Sequence, residues 1–122
     1  MKNFDIWKEG KYLDLWSVNH FLSGVVFTGW MLFLHFESFT ILFSYLFVAI
    51  GWEVFEKFRG IHEHMGNRVV DVIVGVLGVF TVYIFAVQGT RMSFQSLIII
   101  TLIFLLMELH GFITYRQRKK IK

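Results

Sequence analysis

The chain has 122 residues, and hydrophobic residues make up 56% of it, against roughly 45–50% in soluble domains. Aromatic residues reach 19%, charged residues only 17%, and the chain has neither Pro nor Cys. This composition excludes intrinsic disorder, a collagen-like fold and a disulfide-stapled secreted domain, and the lack of Cys excludes thiol chemistry and zinc fingers. A soluble domain of this size needs more polar residues to cover its surface. The composition therefore predicts an integral membrane protein.

The first predicted element is a short amphipathic helix over residues 1–15. Aromatic and aliphatic residues occupy one side of it and lysines the other, which is typical of a helix that lies in the membrane interface. A frayed terminus with Trp16 as an interfacial anchor is the alternative. Asp5, Glu9 and Asp14 interrupt the basic region that a secretory signal would need.

Four stretches of low charge follow, and they predict four membrane-spanning helices. Two of them contain 22 and 19 consecutive residues without a formal charge, enough to cross a bilayer core of about 30 Å. The other two, of 15 and 16 residues, reach that length only if Glu53 and Glu108 lie inside the helices. The predicted spans are about 16–36, 38–58, 69–88 and 93–115.

The predicted fold class is therefore all-α, a four-helix antiparallel up-down bundle that forms a single membrane domain over residues 1–122. Eleven of the twelve basic residues fall on one side of this arrangement, and only Arg91 falls on the other. Because basic residues collect on the cytoplasmic side, both termini and the middle loop are predicted to be cytoplasmic, in a cell (inner) membrane. Residues 116–122 are predicted to form a basic cytoplasmic tail that contacts anionic lipids. Their positive charge does not indicate a nucleic-acid partner.

Ionisable residues in these spans collect at one depth, near the predicted cytoplasmic side. Such residues cost about 2.5–3.5 kcal/mol on insertion scales and usually face the interior of a bundle. His20 and Asp71 each share a helix face with small residues, which favours an inward orientation. The predicted polar cluster consists of His20, Glu53, Glu56, Asp71, Glu108 and His110. The predicted contributors from the middle loop are His62, Glu63, His64 and Asn67.

Three accounts of this cluster are open. Imidazole and carboxylate ligands suit Zn, Fe or Mn, and the metal ligands would be His20, Glu53 and Asp71. A lipid headgroup or phosphate site is the second account, with Arg59 and Arg68 holding the phosphate. In the third account, opposite charges simply pair where the helices enter the headgroup region.

The order of the polar motifs resembles that of VanZ-like small membrane proteins. The resemblance rests on Asn19-His20-Phe21 after Asp14, on Glu53-x-x-Glu56, and on Arg68-x-x-Asp71-x-x-x-Gly75-x-x-Gly78. It covers about residues 14–80, and it departs from the family pattern at Glu56, which replaces an amide, and at Gly75, which replaces Asn. The resemblance implies that His20, Glu53, Arg68 and Asp71 form the shared polar site, and it implies no defined activity.

The sequence thus favours a small membrane protein that binds a divalent metal or a lipid headgroup. It leaves the cofactor unknown, with a divalent metal as the candidate. Membrane lipids are the expected partners. A non-catalytic subunit that packs into a larger membrane assembly is the alternative, and a self-associating ion or proton pathway is a third hypothesis. No reaction is assigned by these residues.

Overall fold

A computed structural model describes residues 5–121, which form four α-helices and no strand. The all-helical prediction is confirmed. The helices are α1 (Leu15–Phe33), α2 (Ser38–Phe58), α3 (Met65–Val87) and α4 (Phe94–Ile121). Three of them, α2, α3 and α4, are long and apolar enough to cross a membrane. Helix α1 has 19 residues and carries several polar side chains, among them Asn19 and His20, so its membrane span stays a prediction.

Three helix bounds differ by three or more residues from the predicted spans: α3 begins four residues earlier than predicted, at Met65, and the ends of α1 and α4 differ for reasons of end chemistry. Helix α1 ends at Phe33 because His35 adopts a positive φ of 64°, and the Phe36 amide then donates to the Met31 carbonyl at 3.0 Å. This pattern closes a helix end with a left-handed residue. Helix α4 continues to Ile121, through most of the predicted tail, since basic residues in a last turn interact favourably with the helix dipole.

The predicted amphipathic helix over residues 1–15 is wrong for residues 5–14, which form turns and bends; residues 1–4 lie outside the described part. The Asp14 carboxylate explains this local structure. It accepts hydrogen bonds from the Gly10 amide at 2.8 Å and the Ser17 amide at 3.1 Å, and so caps α1 and folds the preceding chain back. Trp7 is 2% exposed and its indole donates to His110 on α4 at 2.7 Å.

Helix α1 lies at the centre and contacts all three other helices. Its closest neighbour is α3, because glycines line their crossing. A Cβ on Gly24 would overlap the Gly75 carbonyl oxygen, and a Cβ on Gly78 would overlap that of Phe21. Small residues at such crossings let two backbones approach closely.

The outer helices flank this central pair differently. Helix α2 packs on α3 and α1 through a core that includes Ile41, Tyr45, Ala49 and Val79. Among the helices, α4 contacts only α1, so within residues 5–121 the helices α2 and α4 do not touch. Consequently α1 presents one side to α2 and α3 and another side to α4.

Candidate functional site

The candidate site forms where the start of α1 meets the start of α3. Asp14 and Ser17 form a reciprocal cap at the N-terminus of α1, and this fixes the orientation of the helix's first turns. The Ser17 hydroxyl also donates to Asp71 Oδ1 at 2.6 Å. Asn67, one turn earlier on α3, donates its amide to Asp71 Oδ2 at 3.3 Å. Two buried donors therefore hold the Asp71 carboxylate, which is 1% exposed.

His20 faces this carboxylate and a second one from α2. Its Nε2 atom lies 3.7 Å from Asp71 Oδ2 and 3.7 Å from Glu53 Oε1. One ligand atom from each of the three side chains lies within 4.8 Å of the ligand atoms of the other two. In a tetrahedral site with metal–ligand bonds near 2.1 Å, neighbouring donor atoms stand roughly 3.4 Å apart. The two distances from His20 are therefore about 0.3 Å longer than the separation between neighbouring ligands of a tetrahedral site.

Glu53 is the side chain whose partners are missing. The residue is 8% exposed, and neither carboxylate oxygen receives a hydrogen bond within the described part of the chain. Buried carboxylates without partners are costly, and such groups are normally paired, protonated or bound to a cation. Glu53 is therefore the member of this group that most needs a partner, either a proton or a cation.

A second group of carboxylates adjoins the first and shares Glu53 with it. It also contains Glu56, three residues further on α2, and Glu63 from the loop before α3. Burial raises the pKa of the Glu63 carboxyl above its ordinary value of 4.5, against a smaller lowering by the Asn67 amide. The predicted contribution of this loop residue thus agrees with its position in the fold.

The other residues predicted for the polar cluster lie outside the two groups of ligand atoms. Glu108 accepts a hydrogen bond from the Asn19 amide, on the side of α1 that faces α4. His110 is exposed and its Nδ1 accepts from Trp7. His62 and His64 are exposed and belong to neither group of ligand atoms. The predicted six-residue cluster therefore divides, because Glu108 and His110 belong to neither group of ligand atoms and Glu108 lines a groove beside His20 instead. The two loop histidines also lie outside both groups.

The two predicted phosphate contacts have other neighbours. Arg68 donates from Nη2 to the Ile61 carbonyl at 2.8 Å and thereby ties the loop to α3. Arg59 lies over the Phe55 ring, 6.0 Å from its centroid. Neither arginine is within ion-pair distance of the carboxylates that surround Glu53.

Ser17 and Asn19 hydrogen-bond to Asp71 and Glu108 but are not among the ionisable residues predicted from the sequence. Ser17 lies three residues before His20, on the same helical face, and three residues after Asp14, in the spacing of a helix cap. This spacing from Asp14 and His20 is a sequence pattern from which the position of Ser17 could be predicted. Nothing in the sequence indicates that Asn19 contacts α4, because the partner lies 89 residues away.

A groove opens beside the site, between α2 and α4. Its volume is about 590 Å³, and Asn19, His20 and Glu108 form its polar end. Apolar side chains such as Val48 and Phe104 line most of the remainder. An elongated molecule with a polar end would fit this distribution of side chains.

Comparison of the chain with protein-family models, curated proteins and solved structures finds no match. The VanZ-like resemblance therefore stays a prediction that rests on the motifs themselves. The described part of the chain is all-helical, with three helices long and apolar enough to cross a membrane and a His/Glu/Asp group whose atoms are close enough together to hold a metal ion.

Proposed function

We propose that this protein is a four-span membrane protein that binds a divalent metal ion through His20, Glu53 and Asp71. The imidazole would supply one nitrogen ligand and the two acids would supply oxygen ligands, a mixed set that suits Zn, Mn or Fe(II). Ser17 and Asn67 would orient the Asp71 carboxylate from outside the ligand set. Three protein ligands leave coordination positions for water or another small ligand.

The observation that carries the proposal is the buried Glu53 carboxylate, which has no hydrogen-bond partner and faces an imidazole nitrogen at 3.7 Å. A structural ion-pair network would instead place a Lys or Arg against this acid. In residues 5–121 the ion pairs of Arg118 involve Asp5 and Glu9, far from the site in sequence, and Glu53 pairs with His20 alone.

Elemental analysis of the detergent-purified protein tests this proposal. We expect close to one equivalent of a divalent metal in the wild type, and a loss of most of it in Glu53→Ala and Asp71→Asn. Glu37→Gln is the matched control, because Glu37 is an exposed acid just before α2, at the end opposite Glu53. A wild-type protein without stoichiometric metal would refute the proposal.

The orientation of the four spans is proposed from the distribution of basic residues. With both termini cytoplasmic, the connection between α1 and α2 faces the opposite side, and the connection before α3 faces the cytoplasm. The chain has no Cys, so single replacements can be labelled without background. In intact cells a membrane-impermeant thiol reagent should label Glu37→Cys and should spare His62→Cys. Labelling in the reverse pattern would overturn the orientation.

A lipid headgroup is the second candidate ligand, and the groove between α2 and α4 is the observation that favours it. In the proposed membrane arrangement the groove opens to the lipid, and its polar end lies beside His20. Mass spectrometry of lipids retained after gentle extraction tests this candidate. We expect one headgroup class to be enriched over the bulk membrane, and enrichment that is lost in Val48→Trp. Retained lipid of bulk composition would exclude it.

A further inference from the structure

The two groups of acidic ligands meet at one residue. Glu53 belongs both to the group with His20 and Asp71 and to the group with Glu56 and Glu63. Both of its oxygens are buried, and both lack a hydrogen-bond partner. An ionised carboxylate offers about four lone-pair sites on its two oxygens. One oxygen can therefore serve each group.

The local backbone brings Glu63 to this position. Gly60, with a φ of 74°, ends α2, and the Ile61 amide donates to the Glu56 carbonyl at 3.1 Å. This turn folds the loop back over the last turn of α2. Arg68 then holds the loop through the Ile61 carbonyl.

The second group also has an unsatisfied buried atom besides those of Glu53. Glu63 Oε2 is buried and receives no hydrogen bond within residues 5–121. Glu56 has one donor, the Trp52 indole, which reaches its Oε1 at 3.0 Å. Within the same residues no Lys or Arg forms an ion pair with any of these three acids. Arg68 shares a pocket with Glu53 and acts on Glu63 only from beyond ion-pair distance. Three carboxylates with ligand atoms within 4.8 Å of one another, and no described Lys or Arg within ion-pair distance, can together hold a cation.

We propose that Glu53 bridges two divalent cations, the first held with His20 and Asp71 and the second with Glu56 and Glu63. The inference rests on the proposed metal-binding function and extends it to a second ion. The second position offers only carboxylate oxygens, so it favours hard, oxygen-preferring ions such as Mn²⁺ or Mg²⁺. Carboxylate-bridged pairs hold their ions about 3.5–4 Å apart, close enough for two Mn²⁺ ions to couple magnetically.

Titration of the detergent-purified, metal-depleted protein with Mn²⁺ tests this proposal. Bound Mn²⁺ is counted by elemental analysis, and its coupling is read by electron paramagnetic resonance. We expect two ions per chain and a spectrum broadened by coupling. Glu63→Gln should retain one ion with the resolved six-line spectrum of isolated Mn²⁺, and Glu53→Gln should lose both. Glu37→Gln is the control and should match the wild type.

The possible outcomes distinguish the proposal of a second ion from the proposed binding of the first. A single uncoupled ion in the wild type, which Asp71→Asn removes and Glu63→Gln does not, would overturn the second ion and leave the proposed function intact. No bound Mn²⁺ in any form, together with no metal in the protein as purified, would overturn both. Glu56→Gln provides the same test if circular dichroism shows that Glu63→Gln does not fold, because Glu56 belongs to the same group of ligand atoms.

Discussion

Replacement of Ser17 by Ala removes a group that touches the Asp71 carboxylate without being a metal ligand itself. The hydroxyl donates to Oδ1 at 2.6 Å, and both residues are almost fully buried, so water cannot replace it easily. Loss of a partner that orients a metal ligand typically lowers metal affinity 10–100-fold, or about 1.4–2.7 kcal/mol. The short buried contact places the expected loss for Ser17→Ala in the upper half of this range, near 50-fold.

The affinity is measured by competition with a coloured chelator, and thermal unfolding of the metal-free protein is measured in parallel. The same hydroxyl accepts a weak hydrogen bond from the Asp14 amide at 3.3 Å, so the metal-free variant should also unfold at a slightly lower temperature. A positioning role requires that Ser17→Ala lose more free energy of metal binding than free energy of unfolding. Ser96→Ala, at an exposed serine pair on α4, is the control. Metal affinity within twofold of the wild type in Ser17→Ala would refute the role of Asp71 as an oriented ligand.

Three further predictions follow from the packing and the charges. Gly78→Ala should destabilise the protein by about 1–3 kcal/mol in thermal unfolding, because the added Cβ overlaps the Phe21 carbonyl. Gly51→Ala, with open space around it, should stabilise the protein by about 0.5–1 kcal/mol. Equal effects of the two substitutions would contradict the close helix crossing. Arg118→Ala should speed tryptic cleavage after Lys8 and Lys11 several-fold, because its guanidinium forms ion pairs with Asp5 at 2.9 Å and with Glu9 at 3.0 Å. Arg116→Ala, at an exposed arginine of the same helix, should leave the rate unchanged. Burial raises the pKa of the Glu63 carboxyl, so at this group the folded metal-free protein binds more protons than the unfolded chain. The free energy of unfolding should therefore fall as the pH rises from about 4.5 through the raised pKa. Glu63→Gln should flatten this slope of stability against pH, and an unchanged slope would contradict the prediction.

Local patterns in the sequence account for most of the helices. Charge-free stretches and the polar connections between them predict four helices because a membrane-spanning helix excludes unpaired charge along its length. The bounds that differ depend on chemistry that hydropathy does not register. At the end of α1 a left-handed His35 stops the helix, and at the end of α4 basic residues extend it.

The N-terminal segment shows the limit of an amphipathic pattern. Residues 5–14 have apolar and basic sides, but Trp7 packs against α4 and Arg118 binds two acids of the segment. These contacts join residues more than 100 positions apart in the chain. No short window of sequence contains them, and they override the local helical pattern.

The level at which each ionisable residue lies along its helix, here called its depth, was predictable from the sequence, but the rotation of each helix about its axis was not. His20, Glu53 and Asp71 meet as predicted from their common depth and the small residues on their faces. Glu108 lies at a similar depth but contacts Asn19, which is adjacent to His20 and points about 100° away from it around α1. The side of α1 that each neighbour occupies is decided by tertiary packing, and the glycines of α1 and α3 select that pairing.

Metal-edge X-ray absorption of the purified wild type and His20→Ala tests the central claim most directly, because it reports the ligands of the bound ion. For a zinc-loaded sample we expect oxygen and nitrogen ligands at about 2.0–2.2 Å, with the outer-shell scattering of one imidazole. That imidazole signal should disappear in His20→Ala and persist in His35→Ala, at an exposed histidine far from the site. A wild-type spectrum without imidazole scattering, or the same signal in His20→Ala, would contradict the account.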